Sequence, residues 1–91
     1  MRSTSLTLVN SLGLHARAAS TLVDACKPFS SDIRLTLGDK TVDGKSITNL
    51  LMLGAPVGTE IVLEVSGEDE NEAFETVRTI MNAGFYESED D

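Results

Sequence analysis

The spacing of apolar residues changes repeatedly along this chain of 91 residues, and this change of period limits the folds that it can adopt. Apolar and polar residues alternate at residues 5–9, 32–37 and 60–65, which is typical of strands that bury one face. From residue 16 to residue 27, apolar side chains recur every three or four positions, and Pro28 ends the run. The pattern therefore predicts strands that alternate with amphipathic helices.

Turn and cap signals predict two further elements in the middle of the chain. Gly38-Asp39 suits a two-residue hairpin turn with glycine in its first central position, followed by a short return strand at residues 40–42. Ser46 is expected to cap a short helix that covers residues 47–52, because its hydroxyl can accept a hydrogen bond from a backbone N–H.

The last helix is predicted from its start and stop signals. Asp69 and Glu72 suit a capping box, and Gly84 suits the end of the helix. Its buried stripe is expected to consist of five apolar residues: Ala73, Phe74, Val77, Ile80 and Met81.

The predicted order β-α-β-β-α-β-α indicates an α+β fold. We expect a two-layer open-faced β-sandwich, in which three helices cover one face of a four-stranded antiparallel sheet. Residues 1–86 would form this domain. Residues 87–91 would form a short acidic C-terminal tail, which we interpret as an aid to solubility.

Charge and composition exclude several classes of function. The net charge is −8, which argues against nucleic-acid binding because phosphate backbones need a basic surface. Residues 1–45 carry six basic and four acidic side chains, whereas residues 46–91 carry one basic and eleven acidic. An anion would therefore be received more readily by the first half, which contains the only histidine, His15.

Membrane insertion and metal binding are also not expected. No apolar run approaches the length of a membrane span, and the N-terminus lacks the apolar region of a signal peptide. The single cysteine, Cys26, cannot form an internal disulfide and suits a reducing cytoplasm. With one cysteine and one histidine, the chain offers few of the ligands that a zinc site requires.

Residues 10–19, N-S-L-G-L-H-A-R-A-A, combine groups that suit phosphate chemistry. Histidine has an ordinary pKa of about 6.5, so one ring nitrogen is often available as a nucleophile near neutral pH. If Ala16 and Arg17 begin a helix, their backbone N–H groups and the helix dipole favour a bound phosphate. The guanidinium of Arg17 adds a forked donor, and Gly13 permits close approach of the backbone. A histidine at a helix start is also often a plain capping or surface residue, so this local pattern leaves both interpretations open.

Two motifs add a resemblance to a known family. G-L-H-A-R-A-A at residues 13–19 and G-K-S-I at residues 44–47 resemble the histidine phosphocarrier (HPr) family of the bacterial phosphoenolpyruvate-dependent phosphotransferase system. Family members usually have proline where this chain has Ala18. The ending M-N-A-G-F-Y-E-S-E-D-D is more similar to the nitrogen-related branch, whose role is regulatory.

The resemblance implies a phosphocarrier that is not a stand-alone enzyme and needs no cofactor. It implies that His15 accepts phosphate through Nδ1 from phosphorylated Enzyme I and passes it to an Enzyme IIA-type domain, with Arg17 stabilising the phosphate. It also implies the fold that the pattern predicts. A monomer is the simplest state for such a transient carrier.

Ser46 has two interpretations. It is explained fully as a helix cap. The resemblance also makes it a candidate for regulatory phosphorylation by a dedicated serine kinase, because some members of the family are modified at this serine. A regulatory protein-binding module that responds to this modification is therefore the alternative function, and it would not need His15.

The second helix is too apolar for all of its side chains to be buried. We expect Leu50 and Leu53 to be buried and Ile47 and Leu51 to lie on the surface near His15. An exposed apolar patch with basic residues at its edge would suit transient docking of acidic partners. The expected basic residues are Arg17, Lys27 and Lys45.

Overall fold

Residues 1–87 are described by a computed structural model, and residues 88–91 of the predicted tail lie outside the described part of the chain. The regular elements follow in the order β1 (Arg2–Thr7), α1 (Ala16–Cys26), β2 (Asp32–Leu37), β3 (Lys40–Asp43), α2 (Ile47–Leu53), β4 (Glu60–Ser66) and α3 (Glu70–Asn82). A short 3-10 turn at Gly84–Tyr86 follows α3. The predicted order of strands and helices is confirmed.

The four strands form one antiparallel sheet in the order β1-β4-β2-β3. The last strand in the chain therefore lies between the first and the second. Leu6 pairs with Ile61 and Leu35 pairs with Leu63, which places these buried side chains on one face of the sheet. The other face is mainly polar and includes Ser3, Ser5, Asp32, Arg34, Thr36, Thr41 and Glu64. The predicted open-faced sandwich is confirmed.

The helices bury their apolar stripes in a core on the covered face of the sheet. All five residues predicted for the stripe of α3 are buried. In α2, Leu50 and Leu53 are buried, while Ile47 and Leu51 are 41% and 43% exposed, as expected. Complete burial of a leucine such as Leu50 stabilises the fold by about 1.5–3 kcal/mol relative to an exposed leucine. None of the helices formed by residues 1–87 is long and apolar enough to cross a membrane.

The first strand differs from its prediction. It was expected at residues 5–9, but β1 begins at Arg2 and ends at Thr7. The regular ladder ends with Thr7 opposite Glu60, the first residue of β4, although Leu8 still exchanges backbone hydrogen bonds with Gly58 and Thr59. Leu8 is still buried and its N–H donates to the carbonyl of Thr59 at 2.9 Å, whereas Val9 is exposed.

The predicted capping box of the last helix is wrong. The Asp69 side chain makes no hydrogen bond to the first turn of α3. Its carboxylate instead accepts hydrogen bonds from the backbone N–H of Ser30 at 2.9 Å, the N–H of Ser31 at 3.0 Å and the Ser31 hydroxyl at 2.5 Å. These three donors attract the carboxylate more strongly than a single helical N–H would. They therefore tie the start of α3 to the segment before β2.

Candidate functional site

The loop before α1 approaches the rest of the chain closely at Gly13. Gly13 has φ +65°, and a side chain there would overlap the carbonyl oxygen of Ala55 and the backbone of Pro56. The next residue, Leu14, is buried and donates its N–H to the Ala55 carbonyl at 2.9 Å. The absence of a side chain at Gly13 thus allows the loop to dock, and docking places His15 at the helix start.

His15 is the N-cap of α1, which agrees with the prediction that Ala16 begins the helix. Its carbonyl accepts the N–H of Ala19 at 2.9 Å, and its Nδ1 atom accepts the N–H of Arg17 at 3.4 Å. The N–H of Ala16 is among the donors that a first helical turn leaves without a helical acceptor. Nδ1 therefore lies beside the positive end of the helix dipole, where a phosphoryl group would be favoured.

The carboxylate of Glu87 is a part of this site that was not predicted from the sequence. Its Oε2 atom lies 2.5 Å from Nε2 of His15 and 3.1 Å from Nε of Arg17, and its Oε1 atom lies 2.7 Å from Nδ2 of Asn10. The Glu87 side chain is only 9% exposed. The interpretation of Glu87 as a solvated residue of an acidic tail is therefore wrong.

Glu87 is ionised at the site. Burial alone raises the pKa of its carboxyl, but the hydrogen bonds from Asn10, His15 and Arg17 outweigh burial and hold that pKa below its ordinary value. No local sequence signal marked this residue, because its partners are 70 or more positions away. The one available hint was the position of Glu87 directly after the apolar pair Phe85-Tyr86, ahead of the other acidic residues of the tail.

Arg17 lies at the site as predicted. Its backbone N–H faces Nδ1 of His15 and its Nε atom donates to Glu87, while its side chain remains 55% exposed. The structure therefore brings together three of the predicted features: His15, the first-turn N–H groups and the Arg17 guanidinium. It adds Asn10 and Glu87 to them.

Ser46 occupies the predicted cap position. Its hydroxyl accepts the N–H of Asn49 at 3.2 Å, which satisfies one donor at the start of α2. This contact explains the residue structurally and does not test its phosphorylation, which stays a prediction.

The predicted docking residues differ in their exposure to solvent. Ile47 and Leu51 are exposed on α2, and Lys27 is exposed at the end of α1. Lys45 is instead half-buried, and its ammonium donates to the carbonyl of Phe29 at 2.6 Å. Other exposed apolar side chains were not singled out from the sequence: Val9, Leu12, Met52 and Val57.

Metal or thiol chemistry has little support in the described part of the chain. Residues 1–87 contain no group of three or more histidine, cysteine, aspartate or glutamate side chains that could hold a metal ion. Cys26 is fully buried, and burial raises the pKa of its thiol to about 12. The thiol is therefore protonated at neutral pH and behaves as a small core residue.

Comparisons with known proteins agree on one family. Residues 2–83, which include His15 and Arg17, match the family model described as "PTS HPr component phosphorylation site". The phosphocarrier protein HPr of Neisseria meningitidis serogroup A is 42% identical over 89 residues, which cover 98% of this chain and 100% of the relative. The phosphocarrier protein HPr of Pseudomonas putida is 38% identical over 90 residues, with coverage of 98% and 100%. The crystal structure of HPr from Thermoanaerobacter tengcongensis has a TM-score of 0.92 and 33% identity, covering 97% of this chain and 99% of that one.

Proposed function

The chain belongs to the HPr family of phosphocarrier proteins, and from this membership we propose that it relays a phosphoryl group on His15. His15 receives the group from phosphorylated Enzyme I and donates it to an Enzyme IIA-type domain. The protein acts as one step in a phosphotransferase relay and binds no cofactor. We place it in the cytoplasm as a monomer.

The observation that supports this proposal most directly is the position of His15 Nδ1. This atom faces the N–H of Arg17 at the start of α1, so an attached phosphoryl group would meet helix-start donors. The exposed guanidinium of Arg17 can bind its oxygens in a bidentate manner. Stabilisation of a transferring phosphoryl group depends mainly on such preorganised positive groups.

The exposed residues of α2 support a role in docking. Ile47 and Leu51 present apolar surface that a partner can cover, and Lys27 supplies positive charge. Lys45 contributes less than expected, because its ammonium already binds the Phe29 carbonyl. A partner that docks here would have to bring its own catalytic groups to His15, whose side chain is 25% exposed.

Phosphate incorporation tests the proposal. Labelled phosphoenolpyruvate and Enzyme I should transfer label to the protein, and the label should be acid-labile and alkali-stable, as expected of a phosphohistidine. The His15→Ala variant should take up none. The Ser46→Ala variant is the matched control and should be labelled like wild type. Absence of label on wild type with the Enzyme I of the source organism would exclude the carrier function.

Ser46 supports a second candidate function, that of a regulatory protein-binding module controlled by a serine kinase. The Ser46 hydroxyl lies at the start of α2 beside exposed Ile47, so a phosphate there would add charge next to the docking residues. In that case His15→Ala would retain partner binding, and Ser46→Asp would change it. Pull-down of partners with both variants separates the two functions.

A further inference from the structure

We propose that Glu87, held by Asn10, is a positioning residue for phosphoryl transfer because it fixes the ring tautomer of His15 in which Nδ1 is the nucleophile. This inference rests on the carrier function proposed above. It assigns a role to the buried, ion-paired carboxylate of Glu87, which takes no part in the phosphoryl relay described above. The hydrogen bonds on both edges of the imidazole ring support it.

The donors and acceptors around His15 select one tautomer. An ionised carboxylate only accepts hydrogen bonds, so Nε2 of His15 must donate its proton to Oε2 of Glu87. On the other edge, Nδ1 accepts from the N–H of Arg17 and therefore has no proton of its own. A neutral imidazole has one protonated and one unprotonated nitrogen, and both contacts require the Nε2–H form. The lone pair of Nδ1 is then directed to the helix start.

Asn10 holds the carboxylate in place from a buried position. It is 6% exposed, and its Nδ2 group donates to Oε1 of Glu87 at 2.7 Å and to the carbonyl of Gly13 at 2.6 Å. Its Oδ1 atom is buried without a hydrogen-bond partner among residues 1–87. If the amide were reversed, Oδ1 would face two acceptor oxygens, those of Glu87 and Gly13. Oδ1 is therefore unpaired because both N–H groups of the amide are used as donors. Asn10 thus links the loop that bears His15 to Glu87.

The backbone before Glu87 forms a strained left-handed turn, and this turn brings Glu87 towards His15. Gly84, Phe85 and Tyr86 have φ values of +63°, +58° and +60°. This left-handed region disfavours residues with side chains, and such strain persists only where the surroundings enforce it. Phe85 is 2% exposed and anchors the turn in the core, and Gly84 packs close to Asn10. The chain therefore turns back onto the site at the residue before Glu87.

Glu87 binds His15 at Nε2, whereas the phosphoryl group is transferred at Nδ1. Glu87 can therefore remain bound during phosphoryl transfer. The Nδ1 lone pair forms a bond to phosphorus while the bond from phosphorus to the donor protein breaks, and that electron pair stays with the donor. The proton on Nε2 stays in place, so the ring becomes positively charged. The Glu87 carboxylate, 2.5 Å from Nε2, offsets this charge. Onward transfer returns the electron pair to Nδ1 and restores the neutral ring.

The test measures the ring tautomer of His15 and, in a separate experiment, the rate of phosphoryl transfer. Couplings between ring protons and ring nitrogens in a ¹⁵N NMR spectrum report which nitrogen of His15 carries the proton. We compare wild type with Glu87→Gln, because an amide cannot accept from Asn10, His15 and Arg17 at once. Glu68→Gln removes the same charge from an exposed residue and is the matched control. Transfer from phosphorylated Enzyme I is then followed at saturating donor.

The expected result is a predominantly Nε2–H ring in wild type and in Glu68→Gln, and a mixture of tautomers in Glu87→Gln. The maximal transfer rate of Glu87→Gln should fall on the order of tenfold, with little change in the half-saturating concentration. An Nε2–H ring and an unchanged rate in Glu87→Gln would overturn the inference. If wild type takes up no phosphate, the proposed function fails, and the NMR comparison still decides whether Glu87 selects the tautomer.

Discussion

At the scale of single residues, the site depends on two features that act over long distances in sequence. Glu87 binds His15 from 72 positions away, and Gly13 lets the His15 loop pack on Ala55. Glu87 supplies negative charge at Nε2 of His15. Gly13 has no side chain where the two backbone segments meet. A substitution at either position should therefore change the surroundings of His15 while leaving its side chain in place.

The first prediction concerns Gly13→Ala. The left-handed backbone at φ +65° costs a residue with a side chain about 1–2 kcal/mol, and the overlap with the Ala55 carbonyl adds to this cost. We therefore expect a larger loss of unfolding free energy than the left-handed penalty alone, measured by urea denaturation, and slower phosphorylation of His15.

Gly38→Ala is the matched control for this variant. Gly38 has φ +63°, but a Cβ atom added there would meet no other part of the protein within 4 Å, so only the backbone penalty should appear. Equal losses for Gly13→Ala and Gly38→Ala would show that the close approach at Gly13 contributes nothing.

At the scale of elements, helix starts are defined by side chains that bind either their own helix or a neighbouring segment. Ser46 caps α2 by accepting the N–H of Asn49. Asp69 stands at the start of α3 but binds the backbone of Ser30 and Ser31. The first contact stabilises one helix, and the second joins a helix to the segment before β2.

The second prediction concerns the cap of α2. Ser46→Ala removes the acceptor for the Asn49 N–H and should lower the free energy of unfolding by about 1 kcal/mol. Ser46→Asp keeps a capping oxygen and should retain most of that stability. The measurement is the midpoint of urea unfolding for the three proteins, and a full loss in Ser46→Asp would contradict the role of the cap.

The third prediction concerns pH and Asp69. The Ser31 hydroxyl and the Ser30 N–H lower the pKa of the Asp69 carboxyl from 3.8 to about 2 in the folded protein. A lowered pKa means that this contribution to stability is fully present above about pH 4 and is lost as the pH falls towards 2.

Urea unfolding at pH 5 and pH 3 tests this dependence. Asp69→Asn should lose less stability than wild type over that interval, because it has no carboxylate to protonate. Ser31→Ala removes the largest cause of the shift and should fall between the two. The same decrease in wild type and Asp69→Asn would count against Asp69 as the titrating group.

At the scale of the whole molecule, the protein buries its core on one face of the sheet and leaves part of α2 exposed. Leu50 and Leu51 are adjacent in α2, yet Leu50 is fully buried and Leu51 is 43% exposed. The same helix thus supplies both the core and the proposed docking residues. This division explains how a chain of 91 residues can combine a closed core with an apolar surface.

The fourth prediction compares these two leucines. Leu50→Ala should lower the free energy of unfolding by about 2–5 kcal/mol, because it leaves a cavity in the core. Leu51→Ala should change it by about 0.5 kcal/mol or less. If Leu51 contributes to docking, its variant should instead raise the half-saturating concentration for transfer from Enzyme I several-fold, and an unchanged concentration would argue against that role.

The sequence by itself determined the order of the elements, the buried face of each and the position of His15 at a helix start. These properties depend on spacing and on cap or turn residues such as Ser46 and Gly38, which act over a few positions. Only the tertiary structure decided the strand order β1-β4-β2-β3, the partners of Asp69 and the binding of Glu87 to His15. Each of these depends on contacts between segments far apart in the chain, whose energy exists only after the core has brought the segments together.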